Sequence, residues 1–132
     1  MSKPVALRGL FLFSAAGLLA ELLLSKHWEG LWQVSPLVLL AVALLAVAGR
    51  MDPRLVRGVM ALVIVSGLVG TALHYKGKID FARERSAALT GWALVGETLK
   101  GTSPPILAPG AMIAIGLLGL IVVYRDDERG TA

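Results

Sequence analysis

Four stretches of this chain stay apolar for long enough to cross a lipid bilayer, and no other feature restricts its fold as tightly. They run over about 4–25, 31–48, 53–75 and 106–124. Each holds roughly 18–23 residues, which at about 1.5 Å per helical residue reaches across a hydrocarbon core of about 30 Å. In lipid the backbone must satisfy its own hydrogen bonds, which an open sheet edge cannot do, so these runs are expected to be helices. The fold class that follows is all-α integral membrane. One domain, residues 1–132, forms a four-transmembrane-helix bundle with a long polar loop at 76–105. Composition agrees, since 56% of residues are hydrophobic and 17% charged, against about 45–50% and 25% in soluble domains. That balance excludes a soluble enzyme, a disordered chain and a disulfide scaffold. With no Cys, thiolate metal sites, thiol catalysis and haem attached through Cys-x-x-Cys-His are excluded too.

Local punctuation refines the boundaries. Asp52-Pro53 reads as an N-cap followed by proline at the first helical position. Ser35-Pro36 sits inside the second run, so that helix either bends at Pro36 or is short. Pro104, Pro105 and Pro109 precede the fourth run, and an extended entry from Ser103 to Pro109 is expected. The first run has a basic start (Lys3, Arg8) and small residues at Ser14, Ala15, Ala16 and Ala20, as a cleaved leader would. Its apolar character continues through Leu22, Leu23 and Leu24, which favours an uncleaved helix.

The net charge of +4 does not indicate a nucleic-acid partner, because the basic residues flank the apolar runs and form no stripe with reading aromatics. One side of the membrane receives Lys3, Arg8, Arg50, Arg54, Arg57, Arg125 and Arg129. The other receives Lys26, Lys76, Lys78, Arg83, Arg85 and Lys100. Orientation follows short, compact clusters, and Arg50, Arg54 and Arg57 form the densest one. Both termini are therefore expected in the cytoplasm of a bacterial inner-membrane protein, with the first and third loops outside.

In the third loop, Asp80 is expected to cap a short helix through Arg85. Beyond it Leu89, Trp92, Val95 and Leu99 recur at helical spacing. They predict a short interfacial helix with that stripe turned inward. Trp28, Trp32 and Trp92 fall on the outer side, as anchors at headgroup depth. Small residues at Ser66, Gly67, Gly70 and Thr71, and at Gly110, Ala114, Gly116 and Gly119, mark faces where helices approach closely, within the bundle or against another subunit.

Glu21 lies about one turn inside the outer end of the first helix, where a carboxylate is costly. Ser14, Gly17 and Leu18 share its face, so it is expected to look toward a neighbouring helix. His74 ends the third helix on the face of Gly67, Gly70 and Thr71. A Glu21–His74 pair is therefore expected, with Tyr75 and His27 nearby; the competing arrangement joins Glu21 to Ser25. Two imidazoles with carboxylates are donor types for Zn, Cu, Fe or haem. No His-x-x-x-His or Glu-x-x-His spacing supports a particular metal, and the cofactor stays unassigned. The chain has no phosphate loop, dinucleotide fingerprint or nucleophile elbow, so enzymatic activity is not expected.

Two resemblances add to this. Ala20-Glu21-Leu22 through Lys26, followed by Glu29-Gly30, resembles the first helix of small multidrug-resistance transporters. That likeness implies a four-helix transporter with an essential membrane carboxylate at Glu21. His74-Tyr75-Lys76-Gly77 through Leu107-Ala108-Pro109-Gly110 resembles uncharacterised four-helix bacterial inner-membrane proteins, which implies the architecture and no activity. The expected role is a non-catalytic accessory or assembly subunit of a larger membrane complex. Its partners would be the lipid bilayer and either another protein or a second copy of the chain. Two alternatives stay open: a small transporter or proton carrier using Glu21, and an outward-facing metal, haem or quinone site around His74, His27 and Glu21.

Overall fold

The computed structural model describes residues 3–26, 28–100 and 107–130, with 3, 4 and 126–130 as backbone only. Among them are five helices and no strand: α1 (Lys3–Leu24), α2 (Leu31–Ala48), α3 (Pro53–Arg85), α4 (Gly91–Lys100) and α5 (Leu107–Gly130). All but α4 are long and apolar enough to cross a membrane, the architecture of a multi-pass membrane protein. α1 packs on α2 and α5, and α3 packs on the same two. The long helices therefore close a ring in the order α1, α2, α3, α5. The α2–α3 turn, the start of α1 and the end of α5 share one end of it. The other end carries the α1–α2 connection and α4.

Residues 49–52 turn α2 into α3. The Met51 and Arg50 N–H groups donate back to the carbonyls of Ala46 and Val47 at 3.1 and 3.3 Å. Arg50 takes the left-handed conformation, φ 51°, that such helix endings require. Asp52 then accepts at Oδ1 from the N–H groups of Arg54 and Leu55, at 2.8 and 3.3 Å, and Pro53 opens α3 as expected. α2 runs unbroken from Leu31 across Pro36. Pro36 has no N–H to give the Trp32 carbonyl, and the Ser35 hydroxyl donates to it instead at 3.3 Å.

Three boundaries differ from expectation. α3 does not stop at residue 75 but continues to Arg85, so Asp80 is not a helix cap. It sits mid-helix and accepts from Lys76 Nζ at 3.3 Å, one turn back. Hydropathy falls after Tyr75 because the chain leaves the apolar layer, whereas helical hydrogen bonding continues with good helix formers and a basic last turn. At 33 residues, α3 is about 50 Å long. α5 begins at Leu107, with Pro109 inside its first turn where a missing N–H costs nothing, and reaches Gly130 rather than 124. The expected extended entry therefore does not include 107–109; Pro104 and Pro105 lie outside the described residues.

The third correction concerns α4, which spans Gly91–Lys100 rather than 89–99. Its expected inward stripe is only half turned in: Leu89 and Val95 are half-buried, Trp92 and Leu99 are not. Thr98 is buried, with Leu94 and Val95 half-buried, against the extension of α3 where Lys78 and Ala82 are buried. Trp92 and Leu99 are 88% and 68% exposed. The Thr98 hydroxyl satisfies itself on the Leu94 carbonyl at 2.7 Å, so this residue is buried without an orphaned polar group. The α3 extension and α4 thus form a helical hairpin.

α3 and α5 are the most extensively packed pair of helices, and they meet backbone against backbone. A methyl in place of the Gly67 hydrogen would lie 2.8 Å from the Pro109 carbonyl oxygen and 3.0 Å from the Ile113 nitrogen. On the opposing helix, one at Gly116 would lie 3.0 Å from the Met60 carbonyl oxygen. Gly119 makes room for Met60 and for the Phe11 ring arriving from α1. Phe11, Leu40, Val47, Met60 and Val63 are fully buried around this contact. Of the expected packing faces, Gly67, Gly70, Gly116 and Gly119 serve helix contacts. Ser66 and Thr71 are half-buried beside them. Gly110 and Ala114 are exposed, and a side chain at Gly110 would meet nothing. Gly116→Leu is expected to lower stability by about 1–3 kcal/mol through overpacking, while Gly110→Leu leaves it within about 0.5 kcal/mol. Unfolding of the purified variants in detergent reads the difference.

Candidate functional site

A cavity of about 600 Å³ opens between α2, α3 and the start of α5, at the end of the ring away from the α2–α3 turn. It exists because short side chains meet there. Ser35 and Pro36 of α2, Ser66 and Gly70 of α3, and Ala108 and Pro109 of α5 all line it. Gly70 lets α3 sit against the Pro109 ring, where an added methyl would lie 3.3 Å from Pro109 Cβ. The floor is thereby fixed by the same helix pairing that holds the core.

Along α3 the lining runs from Leu62 to His74, a depth of about 18 Å at helical rise. Leu39, Leu62, Val65 and Met112 make the deep part hydrocarbon, and Trp32, Gln33 and His74 make the opposite part polar and aromatic. No charged side chain belongs to the lining. Leu62, Val65, Val69 and Leu73 line the cavity and are also exposed, so it is a groove open sideways between α2 and α3. Groups that accept or donate hydrogen bonds without carrying charge suit a neutral ligand with an apolar body.

The expected polar cluster is not gathered in this groove. His74 belongs to its lining and Tyr75 is half-buried next in sequence. His27 lies outside the described residues. Glu21 is exposed, and its carboxylate makes no hydrogen bond or ion pair among the described residues. The buried ridge of α1 is Phe11, Ala15, Leu18 and Leu22, which sets Gly17 and Glu21 on the flank, where a side chain at Gly17 would meet nothing. Small residues there mark an open surface rather than a helix neighbour. Ser25 does not serve Glu21 either, since its hydroxyl donates to the Leu22 carbonyl at 3.1 Å. No group of three or more metal-ligating side chains occurs among the described residues.

Of the tryptophans, Trp32 lines the groove and is 72% exposed, Trp28 is about half exposed, and Trp92 projects from the hairpin. Sequence reasoning passed over Gln33, although a glutamine inside an apolar run followed by Ser35-Pro36 was a signal. The face that Ser66, Gly70 and His74 share was legible in their spacing; that it turns toward α2 was not.

Comparison of the chain with family models, with characterised proteins and with solved structures finds no match. The resemblances read from the sequence therefore rest on the residues quoted for them.

The absence of native Cys makes the hairpin directly testable. Cysteines at Trp92 and Leu99 are expected to react with a soluble maleimide at least about tenfold faster than one at Thr98, the buried position, as read by mass shift.

Proposed function

We propose that this is a small multi-pass protein of a bacterial inner membrane. It acts there as a non-catalytic accessory or assembly subunit, engaging a protein partner through the hairpin of α3 and α4. The observation that carries this reading is apolar surface in a region built of polar sequence. Hydrocarbon is crossed by about 20 helical residues, and α3 has 33. Roughly 20 Å of it therefore projects past the apolar layer. On that projection Phe81 is 48% exposed, and α4 adds Trp92 and Leu99 on one flank with Glu97 and Lys100 on another. Large exposed aromatics beyond the lipid, rimmed by charge, have the composition of a docking surface.

The orientation that goes with it puts the hairpin outside and both termini in the cytoplasm. Arg50, Arg54 and Arg57 surround a turn only four residues long and are all exposed, the arrangement to which membrane insertion responds most strongly. Trp28 and Trp32 then sit at the outer headgroup belt.

Two measurements test the reading. Reporter fusions are expected to give a cytoplasmic signal at residue 132 and an external one at residue 88; the reverse pattern rejects the orientation. Native electrophoresis of membranes solubilised in mild detergent is expected to show the chain in a larger assembly. Trp92→Ser with Leu99→Ser should weaken that assembly by tenfold or more, since buried aromatic anchors dominate such contacts. Migration of the unsubstituted chain as a monomer rejects the partner. Loss of membrane attachment in the double variant instead assigns the surface to lipid headgroups.

A further inference from the structure

Several hydroxyls of this protein are satisfied on their own backbone. Ser25, Ser35, Thr71 and Thr98 each donate to a carbonyl three or four residues back. Outside the groove the Ser14 hydroxyl has no hydrogen bond among the described residues, and within the groove two groups are likewise without one. The Ser66 hydroxyl makes no hydrogen bond among the described residues. Gln33 accepts at Oε1 from the Glu29 N–H at 2.9 Å. A backbone N–H only donates, so the remaining end of that amide is the NH₂, and it too makes no hydrogen bond among the described residues. Ser66 is half-buried among apolar neighbours, where an unmatched donor is costly, and a molecule bringing an acceptor to it is correspondingly favoured.

We propose that the groove binds a neutral, lipid-borne amphiphile of the quinone class. Its carbonyls accept from Gln33, Ser66 and the His74 imidazole, and its chain runs toward the bilayer centre. Neutrality follows from the lining, which has no charged side chain to compensate an ionised head. The apolar tail follows from the exposed row Leu62, Val65, Val69 and Leu73, which opens the groove toward lipid and places the hydrocarbon end deepest. The flat head follows from two features. Trp32 offers an indole at the mouth, on which a ring can stack. Ser66 and His74 stand two turns apart on one face, about 12 Å along the axis, with no side chain at Gly70 between them. A ring with carbonyls on opposite edges, about 5 Å apart, plus a hydrogen bond of about 3 Å at each edge, spans about 11 Å. The cavity volume of about 600 Å³ falls among small-molecule sites, which range over roughly 300–1,000 Å³.

The chain has three tryptophans, and replacing Trp28 and Trp92 with Phe leaves Trp32 as the sole indole reporter. In phosphatidylcholine nanodiscs, decylubiquinone is expected to quench its fluorescence saturably, with dioleoylglycerol neither quenching nor competing. Adding Gln33→Leu with Ser66→Ala should weaken the apparent affinity about tenfold, as loss of two hydrogen bonds predicts. Quenching that rises linearly with quinone before those two substitutions are made overturns the site, whatever the folding of the double variant. Saturable quenching that the double substitution leaves unchanged overturns the assigned donors. Competition by dioleoylglycerol overturns the quinone class in favour of a glycerolipid.

Discussion

The contact between α3 and α5 brings two backbones together at glycines, and the rest of the molecule is arranged around it. Lipid tails are as apolar as leucine, so helices in a membrane associate through packing rather than through escape from water. Gly67 brings α3 against the backbone at Pro109 and Ile113, and Gly116 brings α5 against the backbone at Met60 and Ile64. The register that results is antiparallel and repeats along the pair. At its far end, Gly119 admits Met60 and the Phe11 ring together, which ties α1 to the same seam. One seam therefore settles the place of three helices, and α2 follows because a four-residue turn ties it to α3.

The groove is a consequence of the same seam. Gly70 lies one turn beyond Gly67 and rests on Pro109, so α5 is held close to α3 there. Across from them α2 presents Ser35 and Pro36, too short to fill the space. Proline in that position also removes one backbone donor, and Ser35 compensates by bonding the Trp32 carbonyl. Space, a neutral lining and satisfied backbone at the groove wall thus come from a handful of small residues. The Ser66 hydroxyl and the NH₂ end of the Gln33 amide differ in having no partner among the described residues.

Much of the fold was legible because hydropathy and capping report on different things and agreed. The apolar runs located the spans, and Asp52-Pro53 located the start of α3. Where they had nothing to agree on, the reading failed for identifiable reasons. Hydropathy marks where a chain leaves hydrocarbon, not where its helix ends, and so α3 looked ten residues shorter than it is. Of the stripe expected to face inward, Leu89 and Val95 are half-buried but Trp92 and Leu99 are exposed, because the surface available to α4 is the α3 extension, against which Thr98 is the buried residue. Small residues beside Glu21 suggested a helix neighbour, but Gly17 faces open space. Periodicity gives a face, and only the tertiary arrangement says what that face meets. For the candidate site, His74, Ser66, Gly70 and Trp32 were singled out individually; their convergence with Gln33 depends on how α2 lies against α3.

Arg50 shows how a membrane protein can place two demands on one residue. The end of α2 needs a left-handed residue, a position where glycine avoids a conformational cost of about 1 kcal/mol that arginine incurs. Gly49 stands immediately before it, in ordinary helical conformation, where an added methyl would lie 2.9 Å from the Leu45 carbonyl oxygen. Glycine thus serves close packing at 49, and the left-handed position falls to arginine. Arginine at the strained position adds a third guanidinium to those of Arg54 and Arg57, at the tip of the shortest connection between spans. Orientation responds to positive charge near the membrane in short loops, and in a turn of four residues the left-handed position is one of very few available to carry it. Asp52 is committed to the N-terminus of α3 through its two backbone hydrogen bonds and the 51 position precedes that cap. A modest backbone strain at Arg50 is thereby exchanged for a compact positive cluster, and both properties follow from the shortness of the turn that joins α2 to α3.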